Sequence, residues 1–157
     1  MPRALRYALV GLAAVAFLVV SAVLARVLGA ANAERDAAIG IIKAQSHGDS
    51  RAVIAAIRGC RSQPACRERL TAQVARLRSA GKVRVLRLDG PSHFALAART
   101  GTARIAWRAG EALPVVQCVT LRRAGDLRHG FRVEVQALSA PIRRDAGCPR
   151  GQAAGRG

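Results

Sequence analysis

The side chains best able to do chemistry at neutral pH are three histidines and four cysteines. His93 follows Asp89 by four residues, across Gly90 and Pro91. A turn folding back there would set an imidazole beside a carboxylate, the arrangement general acid–base catalysis needs, provided the two reach hydrogen-bond distance. His47 precedes Gly48 at an expected helix end, where an imidazolium complements the dipole. His129 precedes Gly130 near an expected turn. Both are ordinary settings for a surface histidine. Glu134 reads as one half of a cross-strand ion pair with Arg122 rather than as a base. None of the serines sits in a Gly-x-Ser-x-Gly setting, and no Gly-rich phosphate loop is present. These residues give no catalytic set, no cofactor and no metal site. Cys60, Cys66, Cys118 and Cys148 lack the Cys-x-x-Cys spacing of a zinc site. An even count beyond an apolar segment reads as two disulfides. Three pairings are possible, and the near neighbours Cys60–Cys66 with Cys118–Cys148 are favoured.

The elements that position these residues begin with an uncharged run of 18 residues, 8–25. At ~1.5 Å per residue it makes a rod of about 27 Å, close to a hydrocarbon core of about 30 Å. Arg3 and Arg6 precede it and favour a cytoplasmic N-terminus, and Arg26 can snorkel at the far edge. The expected division is a leader (1–7), a transmembrane anchor (8–28), an extracytoplasmic α+β domain (29–145) and a flexible tail (146–157). The alternative is a secreted protein cleaved near Ala33, where Ala31-Asn32-Ala33 has small-x-small form. A signal core, however, usually runs only ~7–15 residues.

Lys and Arg number 26 against 9 Asp and Glu, a net charge of +17. Arg3, Arg6 and Arg26 precede the first acid, so the outer part keeps 23 against 9, or +14. Such a field concentrates anionic partners: lipid headgroups, envelope polymers or nucleic acid, and the same basic surface suits a partner protein. Ala, Gly and Arg enrichment also arises from GC-rich coding with no ligand at all. Nucleic acid is not supported, because the aromatic platforms and motif spacings of its binders are missing.

Beyond the anchor, Asn32 is placed to cap a helix to Ser46 ended by Gly48, and Asp49 or Ser50 to cap a second, stopped by Gly59. Pro64 opens a third, with Cys66, Leu70, Val74 and Leu77 on one stripe. The period then changes to two. Five strands are expected: 83–88; Phe94, Leu96 and Ala98, turning at Thr100-Gly101; Ala103, Ile105 and Trp107; 115–121, turning at 124–126; and 131–137. The layout is three helices on an antiparallel sheet of about five strands, an α+β domain.

Helices broken at Gly48-Asp49 after Ile41-Ile42, with Ile54 following and then a long meander, resemble the nuclear-transport-factor-2-like (cystatin-type cone) fold over residues 32–140. That resemblance implies a cone, binding or enzymatic, for a small molecule. Its walls would include Leu96, Trp107, Val119 and Phe131, but no residue matches a catalytic motif of the family. Two outcomes separate the functional classes. A pocket with an inward-facing titratable group favours the cone, and a filled core with clustered arginines favours an interaction module.

Overall fold

The computed structural model describes residues 3–90, 100–126 and 130–149. The helices are α1 (Arg3–Ser46), α2 (Ser50–Ala56) and α3 (Pro64–Leu77), with a 3-10 turn at Cys60–Ser62 between α2 and α3. Four strands follow, β1 (Val83–Asp89), β2 (Thr100–Ala109), β3 (Val115–Asp126) and β4 (Gly130–Leu138). They form one antiparallel sheet in chain order β1-β2-β3-β4.

Asn32 does not begin a new helix. The apolar run and the first outer helix are one continuous α1 of 44 residues. Neither Gly29 nor Gly40 breaks it, because a lone glycine lowers helix propensity by only about 1 kcal/mol. The true stop is Gly48, at φ +82°. Asp49 caps α2, its carboxylate accepting from the Ala52 N–H at 2.9 Å. That helix ends before Gly59, since Ile57 extends and forms a parallel bridge with Val135 of β4. Gly59, at φ +75°, opens the 3-10 turn instead.

Four strands, not five, are present among the described residues. The expected strand through Phe94, Leu96 and Ala98 lies outside them, as do His93 and His129. Thr100-Gly101 is not a turn. It starts β2, paired with Arg122 and Leu121, because the alternating pattern reaches back to Gly101. Nor does the chain turn at 124–126, where Gly125 and Asp126 pair with Phe131 and Gly130.

Period-two alternation gives the sheet two distinct faces. Ile105, Trp107, Val119, Leu121 and Val135 point toward the helices and pack with Ile41, Ile42, Val53, Leu70 and Val74. Cys66 and Leu77, the ends of the expected α3 stripe, are only partly buried. Fifteen of the described residues, all apolar and buried, form this core. Within it lies a buried amide cluster. Gln45 and Gln117 pair reciprocally, at 2.8 and 3.3 Å. Trp107 Nε1 donates to Gln117 Oε1 at 2.9 Å. Gln73 Nε2 donates to Gln45 Oε1 at 3.0 Å, and Gln73 and Gln117 both donate to the Ser139 carbonyl, at 2.9 and 3.0 Å. Buried amides are tolerated when paired in this way.

Disulfides join Cys60 to Cys66 and Cys118 to Cys148. The second holds the chain after β4 against the outer sheet face. There Ile142 bridges Val116, and Arg104 donates to the carbonyls of Arg144 and Ala146. The favoured Cys118–Cys148 pairing thus ties the start of the tail to β3 as far as Cys148.

Candidate interaction surface

Asp89 does not stand ready for an imidazole. Arg87 bonds it at 2.6 Å and Arg104 approaches its other oxygen at 3.4 Å. The Arg87 hydrogen bond holds the Asp89 carboxyl below the usual carboxylate range. Glu134 pairs with Arg58 at 2.8 Å rather than with Arg122, because the bridge between Ile57 and Val135 brings the segment after α2 alongside β4. His47 is exposed just beyond α1. Among the described residues no group of three His, Cys, Asp or Glu side chains could hold a metal ion.

Of the residues expected to line a pocket, Trp107 and Val119 are sealed in the core, at 2% and 0% exposure. Leu96 and the side chain of Phe131 lie outside the described part. A concave feature lies elsewhere, a groove of about 1140 Å³ between α3 and residues 136–141. It reaches over the edge of β4 to Thr102 and Thr120 on the outer sheet face, and both disulfides border it. Among the described residues, every titratable side chain lining it is an arginine: Arg58, Arg69 and Arg76. Arg69 and Arg76 are exposed and seven residues apart on α3, two helical turns, so they point the same way about 10 Å from each other. Arg58 is held by Glu134. The described part of this wall offers cations, amides and hydroxyls.

The outer sheet face extends the same charge. Alternation places Arg84, Arg87, Arg104, Arg108, Arg122 and Arg132 on it, against Asp89 and Glu134. Arg104 is consumed by Asp89 and the tail carbonyls. Arg84 and Arg108 stand directly opposite each other, a like-charged pair, and the buried Nε of Arg108 has no hydrogen-bond partner among the described residues. The number of arginines is legible along the chain; their grouping depends on strand register and on how α3 lies over β4.

The first half of α1 carries the other conspicuous surface. Leu9, Val10, Leu12, Val15, Phe17, Leu18, Val19, Val20, Val23 and Leu24 are all exposed. Phe17, Leu18, Val19 and Val20 are consecutive, and at ~100° per residue they face four sides of the helix. Among the described residues no helix is long and apolar enough to cross a membrane. The uninterrupted described run is 9–25, because the side chains at 8 and 26–28 lie outside the described part. No family model matches this chain, and no curated protein or solved structure is similar to it.

Proposed function

We propose that this chain is a single-pass membrane protein whose disulfide-bonded α+β head, outside the cytoplasm, is an interaction module for an anionic partner. The observation that carries the reading is the groove whose described titratable side chains are all arginines, set beside an apolar core in which Trp107 and Val119 are buried. A catalytic cone would need an inward-facing acid or base. Among the described residues the buried polar side chains are the paired amides, the Ser46 hydroxyl and a carboxylate, Glu34, that is bound to Arg123. The anchor rests on the exposed apolar side chains of α1. A groove on a partner protein could cover one side of that helix, but only a surrounding apolar medium solvates all four. The two disulfides fit an oxidising compartment.

The test uses the full chain in phosphatidylcholine nanodiscs, with inorganic polyphosphate as the anionic probe. Binding should weaken steeply with salt, and R69A/R76A should lower the slope of log affinity against log salt by about 1 per arginine. R51A, on the exposed side of α2 away from the groove, should leave it unchanged. Salt-insensitive binding, no binding, or equal effects of the two variants would reject the module.

A further inference from the structure

The head is carried on a helix with no break between its apolar run and its sheet-packing end, so its height above a bilayer follows from the helical rise. At ~1.5 Å per residue, Glu34 stands about 9 Å beyond Leu28, the end of the expected span. The headgroup layer on each side is about 5–7 Å thick. Glu34 is therefore at the outer margin of the headgroups, and whatever surrounds it faces them.

What surrounds it follows from two contacts. Glu34 binds Arg123 of β3, and Gln45, eleven residues later, binds Gln117 of the same strand. Helix α1 thus runs antiparallel to β3, and the sheet end nearest the membrane is where β3 finishes and β4 begins. In that ladder Arg122 stands opposite Glu134, and Arg132 opposite Ala124. Each is one step, about 3.4 Å, from the level of Arg123. Arg123 faces α1, so alternation turns Arg122 and Arg132 to the other face. Arg132 is exposed, Arg122 half-buried, and Arg35, next to Glu34 on the helix, is exposed. Of the described carboxylates at this level, Glu34 is held by Arg123 and Glu134 by Arg58. Asp36 is exposed on another side of α1.

We propose that Arg35, Arg122 and Arg132 dock the head onto anionic lipid headgroups of the membrane its own helix enters, a contact that rests on reading α1 as an anchor. A guanidinium side chain reaches ~6 Å, which brings all three into the headgroup layer from this height. The fixed helix holds them there without ordering a linker, so the entropy of finding the surface is already spent. Arg84 marks the contrast. It lies at the opposite end of the sheet, where β1 begins, and faces water.

The experiment compares the full chain in nanodiscs of phosphatidylcholine alone and of phosphatidylcholine with phosphatidylglycerol. Arginines are modified with phenylglyoxal and quantified by peptide mass spectrometry. Arg35, Arg122 and Arg132 should each react about fivefold more slowly in the anionic discs, an effect erased by high salt, while Arg84 reacts equally in both. Equal reactivity of the three in both discs, or protection of Arg84 to the same degree, overturns the docking and leaves the anchor standing. A chain that does not enter phosphatidylcholine discs at all overturns the anchor, and the docking with it.

Discussion

The buried amide cluster makes a prediction in which two chemically identical substitutions differ in cost. Replacing Gln117 by Leu keeps roughly the volume but removes an acceptor for Trp107 Nε1 and for Gln45 Nε2, at 2.9 and 2.8 Å. Both donors are buried, and each unsatisfied one costs about 1–3 kcal/mol. The acceptors Gln117 had served fare better, because Gln73 still donates to Gln45 Oε1 and to the Ser139 carbonyl. Against a loss of about 2–6 kcal/mol, the new apolar side chain returns about 1–2 kcal/mol of burial. A net cost of about 3 kcal/mol is expected for Q117L. Q73L is the mirror case. Gln73 only donates in this cluster, and both of its acceptors retain bonds from Gln117 Nε2, at 3.3 and 3.0 Å. Its loss should cost about 1 kcal/mol. Trp107 is the only tryptophan of the chain and is itself a member of the cluster, so its emission reports unfolding directly. Urea titration of the full chain in detergent micelles measures both variants on one signal. If Q73L proves as costly as Q117L, or Q117L is nearly neutral, the directionality of these hydrogen bonds is wrong.

The two disulfides should separate by loop length. Cys118–Cys148 closes 30 residues and Cys60–Cys66 only 6, so chain entropy assigns them about 3.6 and about 2.2 kcal/mol. C118A/C148A should therefore lower the urea midpoint more than C60A/C66A. Asp89 sets an acid dependence. Its folded carboxyl titrates below its ordinary value because of the Arg87 bond. Its stabilisation is thus complete above the unfolded value of about 3.9 and lost as pH falls through the folded one. The stability gap between wild type and D89N should be flat at neutral pH and close below about pH 4; a gap that widens on acidification would contradict the pairing. Gly81, at φ +103°, admits no side chain, since a Cβ there would meet Gly110 Cα at 2.9 Å, backbone against backbone. G81A should lower stability by more than 1 kcal/mol or so, whereas G90A, which meets nothing within 4 Å, should be within about 0.5 kcal/mol of wild type.

What could be read in advance divides by the range of the interaction. Caps and periods are local, so Asp49 before α2, Pro64 at the start of α3 and the alternation from Ala103 to Trp107 were legible. Ends of elements set by distant partners were not. Thr100-Gly101 looks like a turn until Arg122 and Leu121 are there to pair with it. Ile57 looks helical until Val135 draws it into a bridge. Glu134 chose Arg58 over Arg122 for the same reason, a contact across 76 residues that no spacing encodes. The amide cluster was the least legible feature, because nothing in the spacing of Gln45, Gln73 and Gln117 along the chain brings them together. Only their convergence makes burial tolerable.

The continuity of α1 ties these pieces into one mechanical argument. Had a helix begun afresh at Asn32, the head would swing on a linker, and its arginines would meet any anionic surface at random. The unbroken helix instead delivers Glu34, Ala38, Ile41, Ile42 and Gln45 to the sheet as a rigid stripe. That stripe is clamped at one end by Arg123 and at the other by Gln117. A tilt of the apolar half must then tilt the whole sheet. Placing a helix-breaking pair, Gly-Pro, at Ala31 and Asn32 would separate the two halves. The head would keep its fold, its disulfides and its Trp107 emission, because every core residue lies at Ala38 or beyond. Fixed orientation would be lost, and with it the lipid-dependent protection of Arg122 and Arg132. Protection that survived the break would mean that the arginines find the headgroups by their charge alone, with no help from the helix.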